Sequence, residues 1–482
     1  MYYFKNRCQL FSIELLGSCL CIFYISSATA QEVINQSNME SITSNWECKW
    51  CPHEDEGAPQ TKMEGGVGYV TDDSYKFGDY TGLNEKGAYL IGNMEYSSSD
   101  EENGYMDAEI YDIGLDSREV GAKTGKQGKV DVDLQYSELP KLNSDTAKTP
   151  YQGRDNQTLP LNWDSASNTQ GMTELANSLR QVDLYTQRRT FLLAADYHQT
   201  KSLSYGLSFQ RDTKEGYRSS GMALGDTFGT ARSAILATPV DNVTDQGEAK
   251  VSYVKRRWQT ALSYKFSNFK NDVDSVRWQN AFSLPTGVTE GQAGQEPDNT
   301  MQQLTLSGSY LFGQSTLASA LLSYGRMEQN DDFLPYTINS SLSPSALPRT
   351  SLDGEVDIIS VNLGVNSRLT NSFDIEAQYR QNEQDNNTPQ ATYNYVIADT
   401  TDTSVVPAAD AETNLPYGFR HREILVEGRY RLKKPHKFGV GYKYETYDRT
   451  FQEVETTEEN SLWGTYRNSV SKSWNWFLRL EA

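Results

Sequence analysis

The feature that most constrains this chain is a two-residue period that recurs in pairs of short segments. In "QQLTLSGSYLFGQSTLASALLSYGR" (302–326), Leu304, Leu306, Gly308, Tyr310 and Phe312 share one parity, and Gln303, Thr305, Ser307 and Ser309 the other. After a tight turn at Gly313-Gln314-Ser315, Ala318, Ala320, Leu322 and Tyr324 resume the apolar face. Successive side chains of a strand point to opposite faces, so the pattern specifies a hairpin with one apolar and one polar side. Each segment has about ten residues, enough to cross a bilayer when tilted.

The unit repeats in constant phase. Leu193, Ala195 and Tyr197 turn at Gln199-Thr200-Lys201 into Leu203, Tyr205, Leu207 and Phe209. Ala249, Val251 and Tyr253 turn through Lys255-Arg256-Arg257 into Trp258, Thr260, Leu262, Tyr264 and Phe266. Ile359 to Val365 leads to Phe373 to Tyr379, and Ile424 to Tyr430 leads through Lys433-Lys434-Pro435 to Phe438 to Tyr444. Earlier, Val130, Val132, Leu134 and Tyr136 alternate with Asp131, Asp133 and Gln135. Acidic residues on the inner face imply a wet lumen, because a packed core would not accept them unpaired. Long polar stretches at 138–185, 211–246, 267–300, 327–356 and 382–420 separate the hairpins. Short turns alternating with long loops are the outer-membrane pattern, with turns in the periplasm and loops outside. A soluble β-sandwich has no reason to keep that phase. The fold class read here is therefore all-β: a transmembrane antiparallel β-barrel of about 16–18 strands in this chain. Twelve are counted from Gln187 onward, with four to six more between Val67 and Tyr136.

The same phase makes 460–468 run inward and 473–482 run back outward. Bacterial single-chain barrels have even strand numbers, so the expectation is a chain incomplete at its C-terminus. A shortened but closed barrel is the alternative.

Composition agrees with the barrel. Tyrosine is abundant, at 30 residues, while the hydrophobic fraction is only 37% and the mean hydropathy is −0.66. Past the first 30 residues, nothing approaches the roughly 18 consecutive apolar residues of a spanning helix. The start has Lys5 and Arg7, an apolar run from Leu10 to Tyr24, and Ala28-Thr29-Ala30 before Gln31. That is a Sec-type secretory signal peptide over 1–30, and an exported chain with the barrel pattern is expected in the cell outer membrane. A segment at 31–65 would precede a barrel at 66–482. The formal net charge of −20 argues against a nucleic-acid partner and reads as solvated acidic loops.

Removal of the signal takes Cys8, Cys19 and Cys21 with it and leaves Cys48 and Cys51, in "ECKWCPH" (47–53). Covalent c-type haem needs Cys-x-x-Cys-His, and here Pro52 separates Cys51 from His53. Zinc would need two further ligands, and a thioredoxin-like site would need a βαβ unit. A small disulfide or a dithiol in the segment before the first strand is left, at the inner, periplasmic mouth by analogy with other barrels. With His198, His421 and His436 the other histidines of the chain, no hydrolase constellation forms, and the chain reads as a non-enzyme. Ser99-Asp100-Glu101-Glu102 reads as a solvated loop before it reads as a calcium site. No metal site and no catalytic residue is assigned.

The Cys48-Lys49-Trp50-Cys51 run after a signal peptide resembles the hallmark of the decahaem-associated outer-membrane proteins of the MtrB/PioB family. Other stretches are similar to the same family, in order along the chain. They are "YSELPKLNSDTAKTP" (136–150), "ATPVDNVTDQGEA" (237–249), "PDNTMQQLTLSGSY" (297–310), "LPYTINSSL" (334–342), "LPRTSLDGEVD" (347–357), "TPQATYNYVIAD" (388–399) and "ENSLWGTYRN" (459–468). The resemblance implies a porin-like sheath, usually of more than two dozen strands, so the chain stops short of the family's usual length. Such a barrel holds a periplasmic decahaem c-type cytochrome and couples it to an extracellular multihaem cytochrome, for extracellular respiration or iron oxidation. Haem would be carried by those partners and none bound covalently by this chain. Cys48 and Cys51 would be the family's signature pair, with a role in biogenesis, as a disulfide or redox pair, or in contact with the cytochrome. The alternative is a porin for small solutes with no cytochrome partner.

Overall fold

A backbone in lipid has no water to bond, so every N–H and C=O must be paired within the wall. The chain meets that demand with strands. The computed structural model describes residues 59–100, 102–224, 232–284, 286–340, 346–394, 411–433, 436–469 and 475–482. Seventeen strands form one antiparallel sheet, each bonded to the next in order. They are β1 (Gln60–Val70), β2 (Gly87–Ser99), β3 (Gly104–Ile113), β4 (Glu119–Lys126), β5 (Val130–Ser144) and β6 (Leu184–His198). Then come β7 (Leu203–Leu224), β8 (Arg232–Lys255), β9 (Trp258–Asn271), β10 (Asn299–Phe312), β11 (Thr316–Gln329) and β12 (Gly354–Thr370). β13 (Phe373–Asn386), β14 (Phe419–Lys433), β15 (His436–Arg449), β16 (Thr456–Ser469) and β17 (Asn475–Glu481) complete the sheet. Among the described residues no ladder joins β1 to β17. Twelve strands follow from β6 onward and five precede it, as the alternation predicts. The first strand reaches back to Gln60, ahead of the expected boundary at 66.

The registers put like with like. Leu304 lies opposite Tyr324, Leu306 opposite Leu322, and Leu262 opposite Leu306, so the apolar faces of β9, β10 and β11 are continuous. Leu304, Leu306, Tyr310 and Phe312 are all exposed, which on a soluble protein would be a defect and on a barrel is the lipid contact. The opposite face carries hydroxyls and amides, such as Thr305 and Ser323, whose Oγ atoms are 2.9 Å apart. On the lipid-facing parity, aromatic pairs gather at the end with the short connections: Tyr197 with Tyr205 (ring centroids 6.4 Å), Tyr253 with Trp258 (4.9 Å), Tyr310 with Phe312 (4.5 Å) and Phe438 with Tyr466 (5.0 Å). Such rings are at home where lipid tails meet headgroups.

One expected loop is not a loop. The stretch 211–246 continues the strands: β7 has 22 residues and β8 has 24, paired from Leu203 and Tyr253 out to Leu224 and Arg232. Its polar residues satisfied the description of a loop, but period-2 pairing needs no apolar face once the hairpin has left the membrane. β6 stops pairing with β7 at Gly216, opposite Thr186. Gly216 has φ +135°, and a Cβ there would lie 2.1 Å from the Tyr185 carbonyl oxygen, so only glycine fits where the hairpin departs.

Beyond that point the hairpin packs against the connections at 145–183 and 272–298. Short strands at Asn156–Gln157, Ser275–Gln279 and Glu290–Gly294 make a small sheet. Beside it Tyr151, Leu236, Val273, Val276 and Trp278 are buried together, with Trp163 packed against them. Trp163 Nε1 donates to the Ala281 carbonyl at 2.9 Å, and Gln157 Nε2 donates to that of Ala237 at 2.8 Å. The chain's packed apolar core thus sits at the long-loop end and not in the barrel wall.

Two expected outcomes follow from this division. Leu306→Arg places a cation in the lipid-facing band and should cost about 2–4 kcal/mol of stability in vesicles, whereas Ser307→Arg should be near neutral. Urea unfolding into and out of vesicles reads the difference. Trp278→Ala should remove about 3–5 kcal/mol from the long-loop body and speed proteolysis at 145–183, while the heat-modifiable gel migration of the barrel stays unchanged.

Candidate functional site

The site is the inward face of the wall, set by residues of opposite parity to the lipid-facing ones. Cross-strand partners there are charged, and the register brings opposite signs together. On β12 to β15 they form a ladder. Asp374 accepts from Arg368 Nε at 3.2 Å and from Arg431 Nη2 at 2.9 Å. Arg429 sits between Glu427, at 2.7 Å, and Glu376. Arg380 pairs with Glu423 at 3.6 Å, and Glu445 is held by Lys443 at 2.5 Å and by His421 Nε2 at 2.7 Å. These side chains are partly exposed, so each pair is worth little by itself. Together they keep long side chains against the wall.

On β1 to β5 the inward face is dominated by carboxylates. Lys62 meets Glu64 at 3.1 Å and Lys123 meets Asp133 at 3.4 Å. Tyr111 Oη donates to Glu95 at 2.9 Å, Tyr105 Oη to Asp131 at 2.5 Å, and Ser97 Oγ to Asp107 at 2.6 Å. The inward Asp131, Asp133 and Gln135 are those the alternation singled out. A wall of this kind is stable only when wet, and it presents charge to whatever enters.

Beside the ladder, the inward surface of β16 carries a large aromatic. Trp463 is buried against Gly441, where a Cβ would lie 2.2 Å from the indole ring, and the Arg479 guanidinium lies 5.1 Å from the ring centroid.

The long-loop rim is tied down by charge. In the connection 71–86, Asp79 accepts from Lys141 Nζ at 2.7 Å, Lys76 Nζ at 3.1 Å and the Leu142 N–H at 3.1 Å. Lys141 also stands 4.3 Å above the Tyr80 ring. Burial pushes the Asp79 carboxyl up, but the two ammonium groups and the amide outweigh it and hold it below the usual carboxylate range.

The sequence-predicted residues are placed as follows. Cys48, Cys51 and His53, together with the signal segment 1–30, lie outside the described residues. His198 ends β6 and His436 begins β15, both at short connections as expected, with His436 Nδ1 2.8 Å from Tyr466 Oη. Asp100 Oδ1 accepts the N–H groups of Glu102 and Gly104 at 2.8 and 2.7 Å and so closes its turn, while Glu102 pairs with Lys126 at 3.3 Å. Among the described residues no group of three or more His, Cys, Asp or Glu is arranged to hold a metal ion. The ladder went unforeseen, because its partners lie up to fifty-odd residues apart and meet only through register.

Comparison with known proteins places the chain. The family model for outer-membrane beta-barrel porins of the MtrB/PioB type matches residues 69–482. The outer membrane protein MtrB of Shewanella baltica (strain OS185) is 31% identical over 480 residues, which cover 98% of this chain and 66% of that protein. The chain thus spans a little under two thirds of that relative's length. Among solved structures, the outer membrane channel DcaP of Acinetobacter baumannii aligns over 88% of this chain and 98% of its own, at 10% identity and TM-score 0.30. The ferric-catecholate import receptor Fiu of Escherichia coli K12 aligns over 89% of this chain and 65% of its own, at 9% identity and TM-score 0.35.

The Asp79 anchor has a pH signature. A carboxyl held low in the folded state contributes stability above its unfolded value, about 4, and loses it as pH falls through the folded value. Proteolysis within 71–86 should therefore accelerate below about pH 4, and Asp79→Asn should show the fast rate already at pH 7.

Proposed function

Because the chain belongs to the MtrB/PioB family of outer-membrane β-barrels, we propose that this porin-like barrel is the sheath of an electron conduit. In this reading the short-turn end faces the periplasm and the long-loop end faces outward. A periplasmic multihaem c-type cytochrome enters the lumen and meets a second multihaem cytochrome at the outer surface. Electrons pass along the haems of those partners. The barrel excludes lipid, fixes the cytochrome laterally and keeps neighbouring haems close.

The observation that carries the reading is the charged inner wall. The ladder from Asp374 to Glu445 and the carboxylate-rich face of β1 to β5 offer paired and unpaired charges to a polar protein surface. A barrel of sixteen to eighteen strands leaves an aqueous channel, so the charged wall faces a wet lumen. Cys48 and Cys51 act in the periplasm on this account, in biogenesis or in contact with the cytochrome. The chain performs no catalysis of its own.

Affinity capture of the barrel from detergent-solubilised outer membranes, followed by peroxidase staining for covalent haem, tests the proposal. A haem-positive protein should co-purify with it. A folded barrel that brings none would end the conduit reading and leave a porin for small solutes. Cys51→Ser should leave barrel levels unchanged if the pair serves cytochrome contact, and lower them if it serves biogenesis.

A further inference from the structure

On the lipid-facing parity, four strands place an arginine at the first position beyond the apolar run, always towards the long-loop end. Phe191 is followed by Arg189 on β6, Phe209 by Arg211 on β7, Tyr324 by Arg326 on β11, and Ile424 by Arg422 on β14. A carboxylate on a neighbouring strand clamps each one. Arg189 meets Glu215 at 2.6 Å and Arg422 meets Asp448 at 2.8 Å. Asp245 takes Arg211 Nε and Nη2 at 2.6 and 2.7 Å, and Asp357 takes the same two atoms of Arg326 at 2.9 and 3.2 Å. Tyr324 Oη also donates to Asp357, at 2.7 Å.

The clamp uses one edge of the guanidinium. For Arg211 and Arg326 the Nη1 edge has no partner among the described residues, and both side chains are about half exposed. A fixed guanidinium with a free donor edge is suited to a phosphate oxygen. The opposite rim is built differently: Lys201, Lys255 and Arg256 have no carboxylate partner among the described residues. Scattered surface ion pairs would not select one rim, one parity and the same step beyond the apolar band.

We propose that these arginine–carboxylate stations bind the phosphate groups of outer-leaflet headgroups, the chemistry of a phosphorylated glycolipid. The stations are continuous with the lipid-facing band, which commits them to a lipid and not to a soluble anion. The assignment to the outer leaflet rests on the orientation proposed above. Carboxylates alone at this level would repel a phosphate layer. Each clamp neutralises a carboxylate, one of two at Arg326, where Glu355 also lies 3.0 Å from Nη2, and holds its guanidinium in place, so little side-chain entropy is lost when phosphate binds.

The test uses the full chain folded in mild detergent. Bis-phosphorylated lipid A, its dephosphorylated counterpart and inorganic phosphate are each added, and retained lipid and the thermal unfolding midpoint are measured. Lipid A should be retained and raise the midpoint, while the other two do neither. R211Q/R326Q/R422Q should retain about tenfold less lipid A, and K201Q/K255Q/R256Q should retain as much as the unmodified chain. The charge-balanced R211Q/D245N/R326Q/D357N variant should show the same loss if the triple variant folds poorly, with heat-modifiable migration reporting folding. Equal retention of the dephosphorylated lipid, equal stabilisation by inorganic phosphate, or an unaffected clamp variant would overturn the proposal. Detergent has no sides, so this outcome is separate from the orientation, which protease access to 145–183 on intact cells reads.

Discussion

The structure depends on one demand: within lipid, each backbone N–H and C=O must be bonded inside the wall. Seventeen antiparallel strands answer it with continuous ladders from β1 to β17, which pair every strand edge but the outer edges of β1 and β17 among the described residues. Once the backbone is committed to a sheet, side chains have two faces and no third option. Apolar residues can be outside because the outside is lipid, and charges can be inside because the inside is wet. The exposure of Leu306, Leu322 and Leu262, and the inward pairing of Arg429 with Glu427, are two results of that single commitment.

Much of the wall was legible in the amino-acid sequence for the same reason. Period 2 needs no tertiary information, so the hairpins of β6–β7, β8–β9, β10–β11, β12–β13 and β14–β15 could be read with their faces and turns. What could not be read was whatever depends on pairs distant in sequence. Asp374 and Arg431 look like two unrelated charges until the register of β13 on β14 sets them across from each other. The long-loop body is hidden for another reason. Tyr151, Trp163, Leu236, Val276 and Trp278 come from three polar stretches with no common period, so none announces a core by itself. The stretch 211–246 reads as a loop because, once its strands leave the lipid, polar residues dominate and the apolar ones, such as Leu224, Leu236 and Val240, no longer keep the lipid-facing parity.

The two ends of the barrel are consequently different devices. The short-turn end is a rim of lipid-facing aromatic pairs and tight connections. The long-loop end holds a packed body, a charge-anchored connection at Asp79 and the clamped arginines.

Parity alone divides lipid from water along each strand. Single cysteines placed from Gln303 to Tyr310, in a chain with Cys48 and Cys51 replaced by serine, test it directly in reconstituted vesicles. A membrane-impermeant thiol reagent delivered to the lumen should label positions 303, 305, 307 and 309 and spare 304, 306, 308 and 310, with lipid-borne quenchers showing the reverse. Uniform labelling, or a period near 3.6, would contradict the account.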